Sequence, residues 1–218
     1  PRDFLMLNRP QSKKWFLYSL LFVLVSMPLM SSLLELNMAI DLSKWPDLKN
    51  WIDTQDSASN QTYEAMVGNR GFFSLVTSLL FMALIPAIAE EIFFRGFLMT
   101  IFNGIFKNMH VSIFVTALLF SVIHFQLLKV IPMFFLATVF GYAVYWTGSL
   151  WASIIAHFVN NAIAVIMLYY YAEGDYGKVL EQGESLPLAA TMLMAIIVVI
   201  FFIYIQKNSN TKTRNFYV

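Results

Sequence analysis

The stretch GFFSLVTSLLFMALIPAIAEEIFFRGFLMTIFNGIF, residues Gly71 to Phe106, decides the fold. It is apolar along its whole length, and its only charges are Glu90, Glu91 and Arg95, clustered near its middle. An ionised group at membrane depth costs at least about 2.5–3.5 kcal/mol on insertion scales, so three of them in one span mark a functional centre. As a helix rising about 1.5 Å per residue, the stretch would be roughly 50 Å long, too long for one straight crossing. Pro86, four residues before Glu90, predicts a break or bend there. Broken backbone at membrane depth is tolerated where it lines a cavity.

Working outward, the uncharged spans are Trp15–Leu34, Asn108–Leu128, Val130–Ala172 and Ser185–Gln206. Each reaches the roughly 20 apolar residues a crossing needs, and Val130–Ala172 is about twice that, with a turn predicted at Thr147-Gly148-Ser149. With Gly71–Phe106 these give an all-α polytopic membrane protein of six helices: about 15–34, 71–106, 109–128, 131–147, 150–171 and 186–206. Composition agrees: of 218 residues 59% are hydrophobic and 12% charged, against about 25% charged in soluble domains. Pro28 predicts a kink in the first helix. Between the first two helices, Trp45, Leu48, Trp51 and Ile52 recur at helical spacing among charges. That pattern reads as an interfacial amphipathic helix, or as a helix capping the loops of the bundle.

With no cysteine, disulfides and thiolate metal sites are excluded. Arg2, Arg9, Lys13 and Lys14 precede the first helix, and Lys207, Lys212 and Arg214 follow the last. The long connecting segments are acidic: Glu35, Asp41, Asp47, Asp53, Asp56 and Glu64 in one, Glu173, Asp175, Glu181 and Glu184 in the other. The positive-inside rule then predicts that both termini are cytoplasmic. Residues 1–14 read as a basic approach to the membrane, 15–206 as a transmembrane domain with a catalytic core at about 72–171, and 207–218 as a disordered basic tail. The first residue is proline, which reads as a trimmed start, and no cleavable signal peptide is visible. The partners expected are the lipid bilayer and a peptide or membrane-protein substrate; nothing in the pattern suggests nucleic acid.

Few polar groups with catalytic potential lie within the spans: Glu90, Glu91, Arg95, His124, His157, Asn160 and Asn161. Glu91 and Arg95 stand i, i+4 with the acid first, the favourable order for an ion pair on one helix face. Glu90 is rotated about 100° from Glu91 and is free for other work, such as a general base. His157 and Asn161, also i, i+4, can present N–H donors to one point, as an oxyanion site requires. Glu90, His124 and His157, from three helices, can equally be read as ligands of a divalent metal such as zinc. His110 and Lys129 lie at helix ends and read as interfacial, and Asn160 as glue between helices. Counted from the helix ends, His124 falls nearer the acidic side of the membrane and His157 nearer the basic side. A non-enzymatic reading, as a proton-coupled transporter, immunity or scaffold protein, fits intramembrane carboxylates too, although no inverted repeat supports a transporter.

Three motifs stand in order: Glu90-Glu91 with Arg95, Phe120 with His124, and His157 with Asn161, fitting Glu-Glu-x-x-x-Arg, Phe-x-x-x-His and His-x-x-x-Asn. Together they resemble the CAAX-protease and bacteriocin-processing (CPBP, or Abi) family of intramembrane endopeptidases, which includes the prenyl-protein protease Rce1. The resemblance covers about Phe72 to Tyr171. It implies a membrane-embedded peptidase, in the favoured reading a glutamate-activated-water enzyme with no required cofactor and alternatively a zinc metalloprotease. By the same resemblance Glu90 activates water, His124 positions it, and His157 and Asn161 stabilise the oxyanion. Glu91 and Arg95 support the site, and Phe120 walls it. Members of the family commonly have about eight crossings, two more than the six expected here. A bacterial inner membrane is the expected location.

Overall fold

The computed structural model of the chain describes residues 5–8, 10, 12–67, 71–171 and 187–209. The tail at 210–218 and the whole acidic segment at 172–186 lie outside the described residues, as do Arg2 and Arg9. Among the described residues there are helices and no strand. We number them α1 Lys13–Ser26, α2 Leu29–Met38, α3 Pro46–Val67, α4 Phe72–Phe106, α5 Met109–Ile123, α6 Val130–Thr147, α7 Leu150–Tyr171 and α8 Leu188–Asn208. By length and composition α4, α6, α7 and α8 can each cross a membrane, and α1 with α2, bent by 47°, adds a fifth crossing if the pair is one span rather than a re-entrant loop. The bend falls at Met27-Pro28, where proline removes a donor from the helix ladder. The sixth expected crossing, α5, has 15 residues and is shorter than a full span.

α6 and α7 are the most buried spans, while α4 and α8 turn much of their surface outward. Phe140, Val144, Trp146, Leu150 and Ile154 form the centre, joined by Met99 of α4 and Ile113 of α5. Gly141 permits the close approach of α5 to α6: a Cβ there would lie 2.8 Å from Ile113 Cγ2. Large apolar side chains cover the exterior, with Phe72, Phe73, Ile105 and Leu188 all strongly exposed. In water that surface would drive aggregation; against acyl chains it costs nothing.

α4 runs on through Pro86 as one helix, without the break that was one of the two outcomes the sequence predicted there. A π-helical stretch, Leu79–Leu84, comes just before it, and the Ile85 N–H bonds five residues back to the Leu80 carbonyl. The wider turn takes up the proline's missing donor and its clash with the preceding turn, so the chain passes as one helix. A second π stretch, Ile92–Leu98, follows the glutamates and carries Arg95.

Two further departures position the site. α5 stops at Ile123 rather than near Leu128, because His124 caps it and Phe125 takes a left-handed φ of 53°. A 3-10 turn, Leu127–Lys129, then leads into α6. That turn is gripped from α2: the Asn37 Nδ2 donates to the Leu127 carbonyl at 2.8 Å, and the Ile131 N–H donates to Asn37 Oδ1 at 2.8 Å. At the other end of the bundle the α6–α7 turn, with Gly148 at φ 65°, lies inside the protein. Thr147, Ser149 and Leu150 are buried there. Residues 5–8 fold beneath it: the Leu150 N–H donates to the Met6 carbonyl, and the Ser149 hydroxyl to that of Asn8.

The amphipathic segment does form a helix, α3, but of its four periodic apolar residues only Ile52 is buried; Trp45, Leu48 and Trp51 are exposed. Its attachments run to the α5–α6 turn, through Lys129 to Asp56 at 3.3 Å, Gln126 to Ser59 at 3.3 Å, and the Trp51 ring edge-on to Phe125. Lys129, read as interfacial, is ion-paired there.

Candidate active site

Glu91 and Arg95 are the buried foundation of the site. The Arg95 Nη1 donates to Glu91 Oε1 at 2.6 Å, and the two side chains are 1% and 0% exposed. Arg95 Nη2 donates to the Ala137 carbonyl of α6 at 2.9 Å, tying α4 to α6. The guanidinium carbon also lies 4.8 Å from the centre of the Phe120 ring and 5.6 Å from that of Phe140. Removed from water, the cation is met by a carboxylate, a carbonyl and two aromatic faces, the set of partners that offsets desolvation.

His157 rests on this foundation. Its Nδ1 is 2.9 Å from Glu91 Oε1, and its ring stacks on Phe140 with centroids 5.0 Å apart. His124, at the end of α5, is held in the same way: its Nδ1 bonds the Phe120 carbonyl one turn back, and its ring lies 4.5 Å from that of Phe120. A carbonyl oxygen and a carboxylate oxygen can only accept. Each Nδ1 must therefore carry a proton, which makes Nε2 the free nitrogen of both rings.

Both free nitrogens face one atom. Glu90 Oε2 lies 3.7 Å from His124 Nε2 and 3.8 Å from His157 Nε2. These separations are too long for direct hydrogen bonds and suit a water bridging Glu90 to either ring. Glu90 and His124, with side chains 28% and 25% exposed, are the open members of the cluster, while His157 is nearly covered. Ionised together, Glu90, Glu91 and Arg95 sum to one negative charge. One further proton, on Glu90 or on either Nε2, makes the cluster neutral, the least costly state in a low-dielectric site.

The structure thus brings Glu90, Glu91, Arg95, Phe120, His124 and His157 together. Asn161 sits one turn beyond His157 on α7, and its Oδ1 accepts from Asn160 Nδ2 at 3.2 Å. Asn160, read as glue between helices, serves its neighbour instead. His110 takes no part: its Nδ1 pairs with the Tyr142 hydroxyl at 2.8 Å, at the start of α5. The depth mismatch counted from the sequence disappears for two reasons. At about 1.5 Å per residue, Glu90 stands about 24 Å up α4 from Phe106, and His124 about 22 Å up the shortened α5 from Met109. α7, for its part, begins below the surface at buried Leu150, which raises His157.

Sequence inspection missed Asn37, Phe140 and Ser153. Phe140 and Asn37 carry no local signal, because their roles are contacts across helices. Ser153 does carry one: it is fully buried and four residues before His157, on the same face of α7. For the zinc reading, among the described residues no group of three or more His, Asp or Glu is arranged to hold a metal ion.

Comparison with known proteins fits this geometry. Residues 72–163 match the family model described as type II CAAX prenyl endopeptidase Rce1-like, a segment that contains every residue of the cluster and Asn161. The chain is also 31% identical over 101 residues to the uncharacterized protein YpbD of Bacillus subtilis (strain 168), covering 44% of this chain and 49% of that one. It therefore spans about half the length of the curated relative it matches. No solved structure matches.

Proposed function

With an Rce1-like domain at residues 72–163, we propose that this protein is an intramembrane endopeptidase that hydrolyses peptide bonds with a water activated by Glu90. One observation carries the reading. A single carboxylate oxygen faces two histidine Nε2 atoms, and both rings have already committed their Nδ1 protons elsewhere. That is a seat for one water and one mobile proton, poised between a base and two acceptors.

In the reaction Glu90 takes a proton from the water as its oxygen attacks the scissile carbonyl carbon. The carbonyl oxygen becomes the oxyanion of a tetrahedral intermediate. The Asn161 amide, held by Asn160, donates to it, and a histidine carrying the cluster's extra proton adds an Nε2–H donor. When the C–N bond breaks, the proton on Glu90 passes to the leaving nitrogen. No covalent enzyme intermediate forms. His157 donates to the oxyanion only in its doubly protonated form, because its Nδ1 proton belongs to Glu91.

The chemistry proposed is carried by the side chains of Glu90, His124, His157 and Asn161. The substrate class is a peptide segment presented within or at the bilayer, reached past the partly exposed Glu90 and His124. We place both termini on the cytoplasmic side of a bacterial membrane, as the basic flanks suggest. The decisive test is peptide cleavage in proteoliposomes by the wild-type chain and by Glu90→Gln. Cleavage by the wild type and none by the variant is expected; equal turnover by both would end the proposal.

A further inference from the structure

Glu91 is fully buried, yet its two oxygens are used unequally. Oε1 accepts from both Arg95 Nη1 and His157 Nδ1, whereas Oε2 is buried with no hydrogen-bond partner among the described residues. An empty carboxylate oxygen in a dry site is costly, and a buried one calls for a donor close by. The donor at hand is Ser153. Its side chain is completely buried, one turn before His157 on the same face of α7, and His157 itself touches the Glu91 carboxylate. Its hydroxyl points instead to the Leu150 carbonyl, 3.0 Å away. That carbonyl, at the start of a regular helix, is already served by the helix ladder. A serine hydroxyl has one proton and turns freely between acceptors.

We propose that Ser153 is a positioning residue whose hydroxyl turns from the Leu150 carbonyl to Glu91 Oε2, holding Glu91, and through it the His157 ring, in register with Glu90. Arg95 and His157 fix one side of the carboxylate, and Ser153 fixes the other. A carboxylate held at both oxygens cannot rock about its Cγ–Cδ bond, so the Nδ1 contact stays aimed and Nε2 stays on Glu90. The catalytic consequence rests on the endopeptidase reading; the geometric one does not.

Three variants and two measurements test it in the full chain. Ser153→Ala removes one oxygen from a buried site and is expected to fold. Its kcat per folded molecule should fall roughly tenfold or more, as for loss of a hydrogen bond to a charged group, with KM unchanged. Ser153→Thr restores the hydroxyl and should recover most of the loss, whereas Ser153→Cys keeps the volume but is a weak donor and should resemble Ser153→Ala. A pure packing role predicts the reverse order for the last two. The second measurement needs no turnover: the 15N resonances of the His157 ring should shift and broaden in Ser153→Ala. Wild-type kcat together with unchanged ring resonances in Ser153→Ala overturns the inference. Equal activity of wild type and Glu90→Gln overturns the endopeptidase reading instead, and the ring resonances still decide the role of Ser153.

Discussion

Arg95 is a cation at 1% exposure whose charge is met by Glu91 at 2.6 Å. Removing one member of such a pair leaves the other charged in a dry site. Arg95→Met should therefore cost about 3–5 kcal/mol, read as a large drop in the thermal midpoint of the purified protein. Adding Glu91→Leu should restore part of that loss, since apolar residues often replace a buried pair without penalty. Asn161→Ala is expected to behave in the opposite way, with an unchanged midpoint but kcat lower by about 10²–10³, the usual cost of an oxyanion donor. A parallel fall of midpoint and activity in Asn161→Ala would assign it to structure. At this scale the sequence was legible where partners share a helix. The i, i+4 spacing of Glu91 and Arg95 announced their bond, while the third partner, the Ala137 carbonyl, lies on another helix and left no trace.

The elements place the site by where they stop. α5 ends at His124 because Phe125 turns left-handed, and Asn37 of α2 holds the turn that follows with two hydrogen bonds. Asn37→Leu strands the Leu127 carbonyl and the Ile131 N–H. We expect a loss of about 1–3 kcal/mol in stability and a fall in peptide cleavage as His124 loses its fixed support. Cleavage at the wild-type rate would show that the turn holds itself. Between α5 and α6 the contact at Gly141 is equally exacting, because a Cβ would stand 2.8 Å from the Ile113 side chain. Gly141→Val should destabilise by about 1–3 kcal/mol through overpacking, with part of the loss recovered by Ile113→Ala. If Gly141→Val melts with the wild type, the two helices have more freedom than this packing implies.

For the whole molecule, the outward-facing apolar surface marks a membrane protein, and the proposed topology has both termini cytoplasmic. Since the chain has no cysteine, single introduced cysteines report sidedness cleanly. Ser12→Cys should react with an impermeant maleimide only from the cytoplasmic face, and Lys44→Cys only from the opposite face. The reverse pattern would invert the proposed topology. Chelators should leave cleavage intact in a rigorously metal-free preparation; loss of activity that zinc restores would instead establish the metal-dependent chemistry.

The sequence by itself determined the solvent and the cast. Long uncharged spans have one stable environment, and ionised residues inside them have few tolerable roles, so Glu90, Glu91, Arg95, His124 and His157 stood out against an apolar background. The bend at Met27-Pro28 was legible too, because proline acts within its own helix. What only the tertiary structure decided was the level at which these residues meet. Helix ends depend on contacts from other elements: the grip of Asn37 on the α5–α6 turn, and residues 5–8 folded beneath α7. The continuity of α4 through Pro86 came from a π turn that local pattern does not reveal. The commitment of both Nδ1 atoms, and so the direction of both Nε2 atoms toward one Glu90 oxygen, depends on acceptors set by packing. Spacing within a helix is fixed by its pitch, whereas distance between helices is fixed by everything that packs against them.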